Sequence, residues 1–247
     1  MKIEAFIIHL KRAEARRPQV DELIRQLAPL PARVLDAVDA QELSGAELEK
    51  VYQRRLFTPC YPFELRPAEI ACFLSHRKAW SEIVEKKLDA GLVFEDDVGI
   101  EPNVFRGALQ LAETLCEGSP AYIQFNFRKP KDGAAVIASD GTAQIVRPQP
   151  VLLGAMAQLV SREAAMRLLE HSEMFDRPVD VLLQMHWQTS VYPLAADPAG
   201  TVNRDMKLGG STLHASKSLS ERVWREWSRY RYRSAIKRLS RQQLRTN

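Results

Sequence analysis

The sequence predicts an α/β fold with a Rossmann-like front half and a mixed-sheet back half. Three observations carry that expectation. Apolar runs at Ile3–Leu10, Arg33–Val38 and Gly91–Phe94 alternate with segments of helical period, the pattern of strands joined by helices. The run Gly91-Leu92-Val93-Phe94 is apolar at every position, as in a strand covered on both faces, and leads straight into Glu95-Asp96-Asp97. Beyond residue 120 the strand-like runs Ala121–Phe127, Ala143–Val146 and Ala155–Val160 follow one another, so the second half of the sheet is mixed.

Each element has a local reason. Ile3–Leu10 is a first strand, and the charged turn Lys11–Arg17 enters a helix that ends near Leu27, before Pro29 and Pro31. After the second strand, Ser44 is the N-cap of a helix within residues 40–55. Three prolines make Thr58–Pro67 a loop, and Pro67 opens a helix to about Lys87 with Ile70, Phe73, Leu74, Ala79, Trp80 and Ile83 inward. A helix through Leu109–Leu115 follows the acidic strand. Lys129–Asp140 is a hairpin or loop, Ser161 caps a helix from Arg162 to about His171, and Val179–Gln188 is a further helix. Val191–Leu194 is a short strand, and the glycine- and asparagine-containing stretch Asp197–Gly210 is a loop.

The 247 residues, 45% of them hydrophobic, suffice for one large domain and a sizeable core. Cys60, Cys72 and Cys116 lie far apart with no paired spacing, which argues against a disulfide or zinc framework and fits a reducing cytoplasm. The N-terminal apolar run is too short for a signal peptide, and no segment has the length of a transmembrane helix. The net charge of +4 is unevenly spread: residues 217–247 hold ten Lys or Arg against two Glu, while the remainder is mildly acidic. A polyanionic surface is the expected partner of that tail.

Three adjacent carboxylates at the end of a buried strand repel one another and need a counter-charge. The carboxyl edge of such a sheet is where ligands bind, and an all-oxygen set suits Mg2+ or Mn2+ bridging to a phosphate. Glu95 and Asp97, two residues apart, fall on one side of an extended chain, with Asp96 on the other.

The order of several motifs resembles glycosyltransferase family 25, which includes bacterial lipooligosaccharide transferases and the transferase domain of collagen galactosyltransferases. Ile7-Ile8-His9-Leu10-Lys11-Arg12 with Arg16-Arg17 resembles the family's opening, with His9 and Lys11 in place of its usual Asn and Asp. Asp36-Ala37-Val38-Asp39 resembles its A-V-D-G step. Glu69-Ile70-Ala71-Cys72-Phe73-Leu74-Ser75-His76 with Trp80 resembles its E-I-G-C-x-L-S-H segment, and Phe94–Val98 its L-E-D-D-V. Gly154–Ser161 and Pro178-Val179-Asp180 resemble two later motifs. The resemblance spans roughly residues 3–213.

It implies a GT-A-like fold, a nucleotide-sugar donor, a divalent metal (Mn2+ or Mg2+) and inversion at the anomeric carbon. On that reading Asp97 is a metal ligand, with Glu95 a ligand or a donor contact, and Asp96 belongs to the donor side or holds a helix start. Asp180 is the general base, or else a helix cap. Asp39 contacts ribose or base, and Arg12 and Arg16 reach the diphosphate. Glu69 orients the donor or pairs with an arginine. His76 touches substrate or is a satisfied buried histidine. His214 is a late metal ligand after Gly209-Gly210, and Gln124 and Asn126 hydrogen-bond donor or acceptor.

The expected division is a transferase domain over residues 1–213 and a basic amphipathic helical tail over 214–247. Leu219, Val223, Trp227 and Tyr230 share one face of that tail, which suits docking on an anionic membrane, or packing on the body. No base-reading module accompanies it, which argues against nucleic acid as partner. The expected function is transfer of galactose or glucose from a UDP-sugar to a lipopolysaccharide-type glycan acceptor, at the inner face of the bacterial inner membrane. The alternatives are a metal-dependent nucleotidyltransferase or phosphohydrolase, disfavoured by the lack of a glycine-rich phosphate loop, and a non-catalytic nucleotide-sugar or membrane-binding protein.

Overall fold

The computed structural model describes residues 1–204 and 219–246. Strand β1 (Ile3–His9) leads through a short 3-10 turn into α1 (Arg17–Leu27) and β2 (Ala32–Asp36). Helices α2 (Gly45–Val51) and α3 (Pro67–Glu85) precede β3 (Ala90–Glu95), β4 (Val98–Ile100) and α4 (Pro102–Glu113). Then come β5 (Tyr122–Gln124), β6 (Ala135–Ser139), β7 (Gln144–Arg147), β8 (Ala157–Ser161) and α5 (Arg162–Glu170). The chain continues with α6 (Val179–Leu183), α7 (His186–Thr189), β9 (Pro193–Asp197) and β10 (Thr201–Asn203), and α8 covers Leu219–Thr246.

Eight strands form one mixed sheet in the order β2-β1-β3-β8-β5-β9-β7-β6. β2, β1 and β3 are parallel, β8 runs against both β3 and β5, and β5 is parallel to β9. The carboxyl ends of β1, β3 and β5 and the amino end of β8 therefore share one edge.

Because successive side chains point to opposite faces, the strand sequences sort themselves into two cores. Ala5, Ile7, Leu92, Phe94, Ile123 and Leu159 pack with α1 and α4. Phe6, Ile8, Val93, Tyr122 and Val160 pack with α3, α5 and α6. β3 is closely covered on the α3 side: a Cβ at Gly91 would lie 2.5 Å from Ile83 Cγ1. That approach lets α3 run flat along β3 and brings its first half over the strand's acidic end.

Two short features differ from expectation. β4 and β10 form a separate antiparallel pair that the sequence hides, because three-residue strands are defined by their partner and not by their period. The expected helix Val179–Gln188 is broken into α6 and α7, where the Gln184 side chain turns to donate to the Val151 carbonyl at 2.6 Å. No helix among the described residues is long and apolar enough to cross a membrane.

α8 lies against the body through Tyr232 and Ile236, which pack with Met185, Phe57, Tyr61, Val181 and Trp187. Ser228 and Ser240 are buried on the same stripe. The aromatic face expected from the sequence is turned away: Trp227 and Tyr230 are 54% and 70% exposed, while the side chains of Leu219 and Val223 lie outside the described residues. What decides the packing is a hydroxyl. Tyr232 Oη accepts from the buried Arg177 guanidinium at 2.7 Å, a bond Trp227 lacks an acceptor to make.

Candidate active site at the carboxyl edge of the sheet

The alternation that builds the two cores also splits the acid cluster. Asp96 follows Phe94 onto the α1 face, where His9 follows Ile7. His9 Nδ1–H donates to Asp96 Oδ2 at 2.8 Å, and Arg16 Nη1 donates to Asp96 Oδ1 at 2.7 Å. His9 and Asp96 are both buried, so this acid is neutralised within the fold.

Glu95 follows Val93 onto the α3 face. His76 is completely buried, and its Nε2–H donates to Glu95 Oε1 at 3.3 Å while the Gln158 amide donates to its Nδ1 at 3.2 Å. A carboxylate only accepts, so this chain assigns the proton to Nε2. Gln158 and Val160 share the α3 face of β8 by the same parity. Glu95 remains 31% exposed at its side chain, open to solvent at the carboxyl edge of the sheet. Asp97 is half-buried, and its carbonyl accepts from the Arg204 amide at 2.8 Å, which ties the end of β10 to the cluster.

Asp180 stands in the first turn of α6, two residues past the N-cap Pro178. Its Oδ2 accepts from the Gly154 amide at 3.1 Å. Gly154 has φ of +110°, a conformation that favours glycine, and the segment around it is latched from β5. Gln124 donates to the carbonyls of Leu152 and Gly154, and Asn126 donates to that of Leu153 at 2.7 Å. Burial raises the Asp180 pKa, and the nearby Glu95 charge raises it further. The Gly154 and Val181 amides and His76 pull it partly back.

Cys72 shows how closely these groups converge. It lies one helical turn before His76 and is open to solvent, yet protein surrounds it on most sides. Burial pushes its thiol pKa up, and Glu95, Asp180, Glu69 and Asp97 all push it further in the same direction. Carboxylates from three separate parts of the chain, α3, the end of β3 and α6, thus act on one thiol. The potential ligand atoms of Cys72, His76 and Glu95 lie within 4.8 Å of one another.

The remaining expected residues are placed as follows. Arg12 grips Asp39 through two hydrogen bonds, 2.5 and 3.3 Å, which hold the Asp39 carboxyl below its usual range and raise Arg12. The Asp39 turn is itself pinned, because Ser75 Oγ accepts from the Val38 amide at 2.9 Å. Glu69 accepts from the Arg66 amide at 2.8 Å and so closes the first turn of α3. His214 lies outside the described residues. Cys72 and Gln158 have no assigned role in the sequence reading. The signal for Cys72 is helical spacing, since Glu69, Cys72 and His76 recur at three and four residues on one face.

The carboxyl edge of this α/β sheet thus gathers carboxylates beside a buried histidine. The family model for glycosyltransferase family 25 (LPS biosynthesis protein) matches residues 2–183, from β1 through Asp180 to the end of α6. The chain belongs to this family of glycosyltransferases. Procollagen galactosyltransferase 2 of Mus musculus is 35% identical over 119 residues, which are 45% of this chain and 18% of that protein. The probable inactive glycosyltransferase 25 family member 3 of Rattus norvegicus is 29% identical over 217 residues, 79% of this chain and 37% of that protein. This chain therefore spans well under half the length of these relatives. A solved structure, mannose-1-phosphate geranyltransferase from Thermus thermophilus, overlaps 69% of this chain and 54% of its own at 12% identity with a TM-score of 0.31, too slight a likeness to bear on the fold.

Proposed function

We propose that this protein is a GT-A-type, inverting, metal-dependent glycosyltransferase that moves a hexose, galactose or glucose, from a UDP-sugar to a surface-glycan acceptor of the lipopolysaccharide class. The observation that carries this reading is the carboxyl edge of the sheet, where His76 holds Glu95, their ligand atoms and that of Cys72 lie within 4.8 Å of one another, and Asp96 and Asp97 follow directly in the chain. Asp96 is neutralised by His9 and Arg16, and Glu95 and Asp97 flank it with acid–x–acid spacing. The free edge of Glu95 and the oxygen-rich surroundings fit a hard divalent cation. Such an ion, Mn2+ or Mg2+, would supply Lewis-acid stabilisation of the departing diphosphate.

The chain's own residues do the rest. His76, held by Gln158, fixes the rotamer of Glu95. Arg12 fixes Asp39 at the end of β2, where a ribose or base contact belongs on this reading. Asp180 is the general base. As the acceptor oxygen bonds to the anomeric carbon, its proton passes to the Asp180 carboxylate, and the sugar–phosphate bond breaks with its electrons on the nucleoside diphosphate. A carboxylate whose pKa is raised by burial is better matched to that task than an exposed one.

The test is a donor screen on the purified chain, with turnover of UDP-sugars read with and without Mn2+. Asp180→Asn is expected to keep UDP binding and to lose turnover by about a hundredfold to ten-thousandfold. Full activity in Asp180→Asn removes it as the base. UDP binding with no turnover of any donor supports instead a non-catalytic protein, a reading motivated by the relatives named inactive.

The tail belongs to the same proposal. Trp227 and Tyr230 are more than half exposed among arginines on the outer side of α8, and Trp224, similarly exposed, stands edge-on to Phe63, an arrangement suited to an anionic membrane surface. Trp224→Ser with Trp227→Ser is expected to release the protein from vesicles containing phosphatidylglycerol. Unchanged vesicle binding removes the membrane role.

A further inference from the structure

The segment that precedes Gly154 forms the wall of a cavity. Residues 148–153 form one side of a space of about 450 Å3, and α8 and the loop after β5 form the others. Arg128, Lys129 and Lys131 enter it from the loop, and Arg233 and Lys237 from successive turns of α8. All five are exposed, and none of them has an ion-pair partner among the described residues. Elsewhere on α8, Arg225 lies over Phe63 and Arg229 pairs with Glu226.

Five like charges around one concavity raise the free energy of the empty protein and make a strong positive potential. The loop is held in place, since the Arg128 amide donates to Asn126 Oδ1 at 3.0 Å. Asn126 also binds the Leu153 carbonyl, and the next residue, Gly154, carries the amide bonded to Asp180. Adjacent Cα atoms are about 3.8 Å apart, so the cavity begins within a residue or two of the candidate base. A ligand seated there lies against the segment whose next residue, Gly154, is bonded to Asp180.

We propose that this cavity is an acceptor subsite for a phosphate-bearing glycan. An oxyanion cluster on the acceptor is held by Lys129, Lys131, Arg233 and Lys237, so that a neighbouring hydroxyl reaches Asp180. The proposal rests on the transferase reading for the word acceptor, but the oxyanion site stands or falls separately. It also makes α8 part of the site: the helix lies outside the family-matched residues 2–183 and supplies two of the cations.

The test uses the full chain in chelator, so that the donor site holds no metal, and inositol hexakisphosphate as a soluble polyphosphate probe in isothermal titration. The cavity variant carries Lys129→Gln, Lys131→Gln, Arg233→Gln and Lys237→Gln, all at exposed positions. A control variant carries Arg25→Gln, Lys50→Gln, Arg54→Gln and Arg162→Gln, also exposed and outside the cavity. The cavity variant is expected to bind the probe about tenfold more weakly or worse, with the control close to wild type. Equal losses in both variants, or none in the cavity variant, overturn the site. Loss of binding to phosphatidylglycerol vesicles without loss of the soluble probe also overturns it, because the cations then serve a membrane face. UDP binding with Mn2+ is measured on the same variants. Its absence in wild type sinks the transferase reading alone, and its persistence in the cavity variant shows that the fold and donor half are intact.

Discussion

His76 is the residue on which the site's geometry turns. It is buried, it receives a hydrogen bond from Gln158, and it passes one to Glu95. His76→Ala leaves the amide and one carboxylate oxygen without partners, so Glu95 is free to change rotamer. The expected outcome is an increase of about tenfold in the Mn2+ concentration needed for half-maximal activity, measured by metal titration, with His76→Gln recovering part of it. Much of this was legible in advance. The parity of β3 separates Glu95 from Asp96, and the spacing of Glu69, Cys72 and His76 gives their shared face. What the parity does not reveal is that His9, in place of the asparagine of the resembled motif, would claim Asp96. That contact joins residues 87 apart and exists only once β1 and β3 are paired.

The elements that frame the site depend on a few close approaches. α3 lies against β3 because residue 91 has no side chain. Gly91→Ala puts a methyl group 2.5 and 2.6 Å from two carbons of Ile83, and it is expected to cost about 1–3 kcal/mol in denaturant unfolding. The α7–α8 contact has a pH dependence of definite sign. His186 Nε2 lies 3.1 Å from Ser240 Oγ and its ring packs on Tyr192 at 4.4 Å. Burial, with Arg147 nearby, lowers its pKa from 6.5 to about 4. Between those values the unfolded chain binds the proton and the folded chain does not, so stability falls as pH drops from 6.5 towards 4. Thermal melts across that range are expected to be flatter for His186→Gln than for wild type. Long helices and the buried strand were readable from period and caps; Ser44, for instance, caps α2 as expected. β4, β10 and the break between α6 and α7 were not, because each is fixed by a distant partner: β4 and β10 by each other, Gln184 by Val151.

At the scale of the whole molecule, the body and the basic tail are joined through one buried ion pair. Arg177 and Asp176 are fully buried and bonded at 2.5 Å, and Arg177 also donates to the carbonyls of Phe57 and Pro59 and to Tyr232. Arg177→Ala leaves Asp176 as an uncompensated buried charge, with an expected loss of about 3–5 kcal/mol by chemical denaturation. Tyr232→Phe, which removes only the hydroxyl, is expected to cost about 1–3 kcal/mol. The sequence displays the tail's charge plainly but not its seating, since the exposed tryptophans are the more hydrophobic choice and the buried tyrosine wins through its hydrogen bond.

The Tyr232–Arg177 bond also restricts where the chain can be cut or grafted. A version ending at residue 213, the boundary suggested by composition, would strip the phenol from a guanidinium that is fully buried in the intact protein, and would uncover Met185 beside it. Such a truncate would be a poor reagent for separating catalysis from membrane binding, because its failures would come from the interior. Swapping tails between relatives meets the same obstacle: a donor helix lacking a hydroxyl at this register would leave Arg177 Nη1 without its phenol acceptor. Helix and lock must be exchanged together.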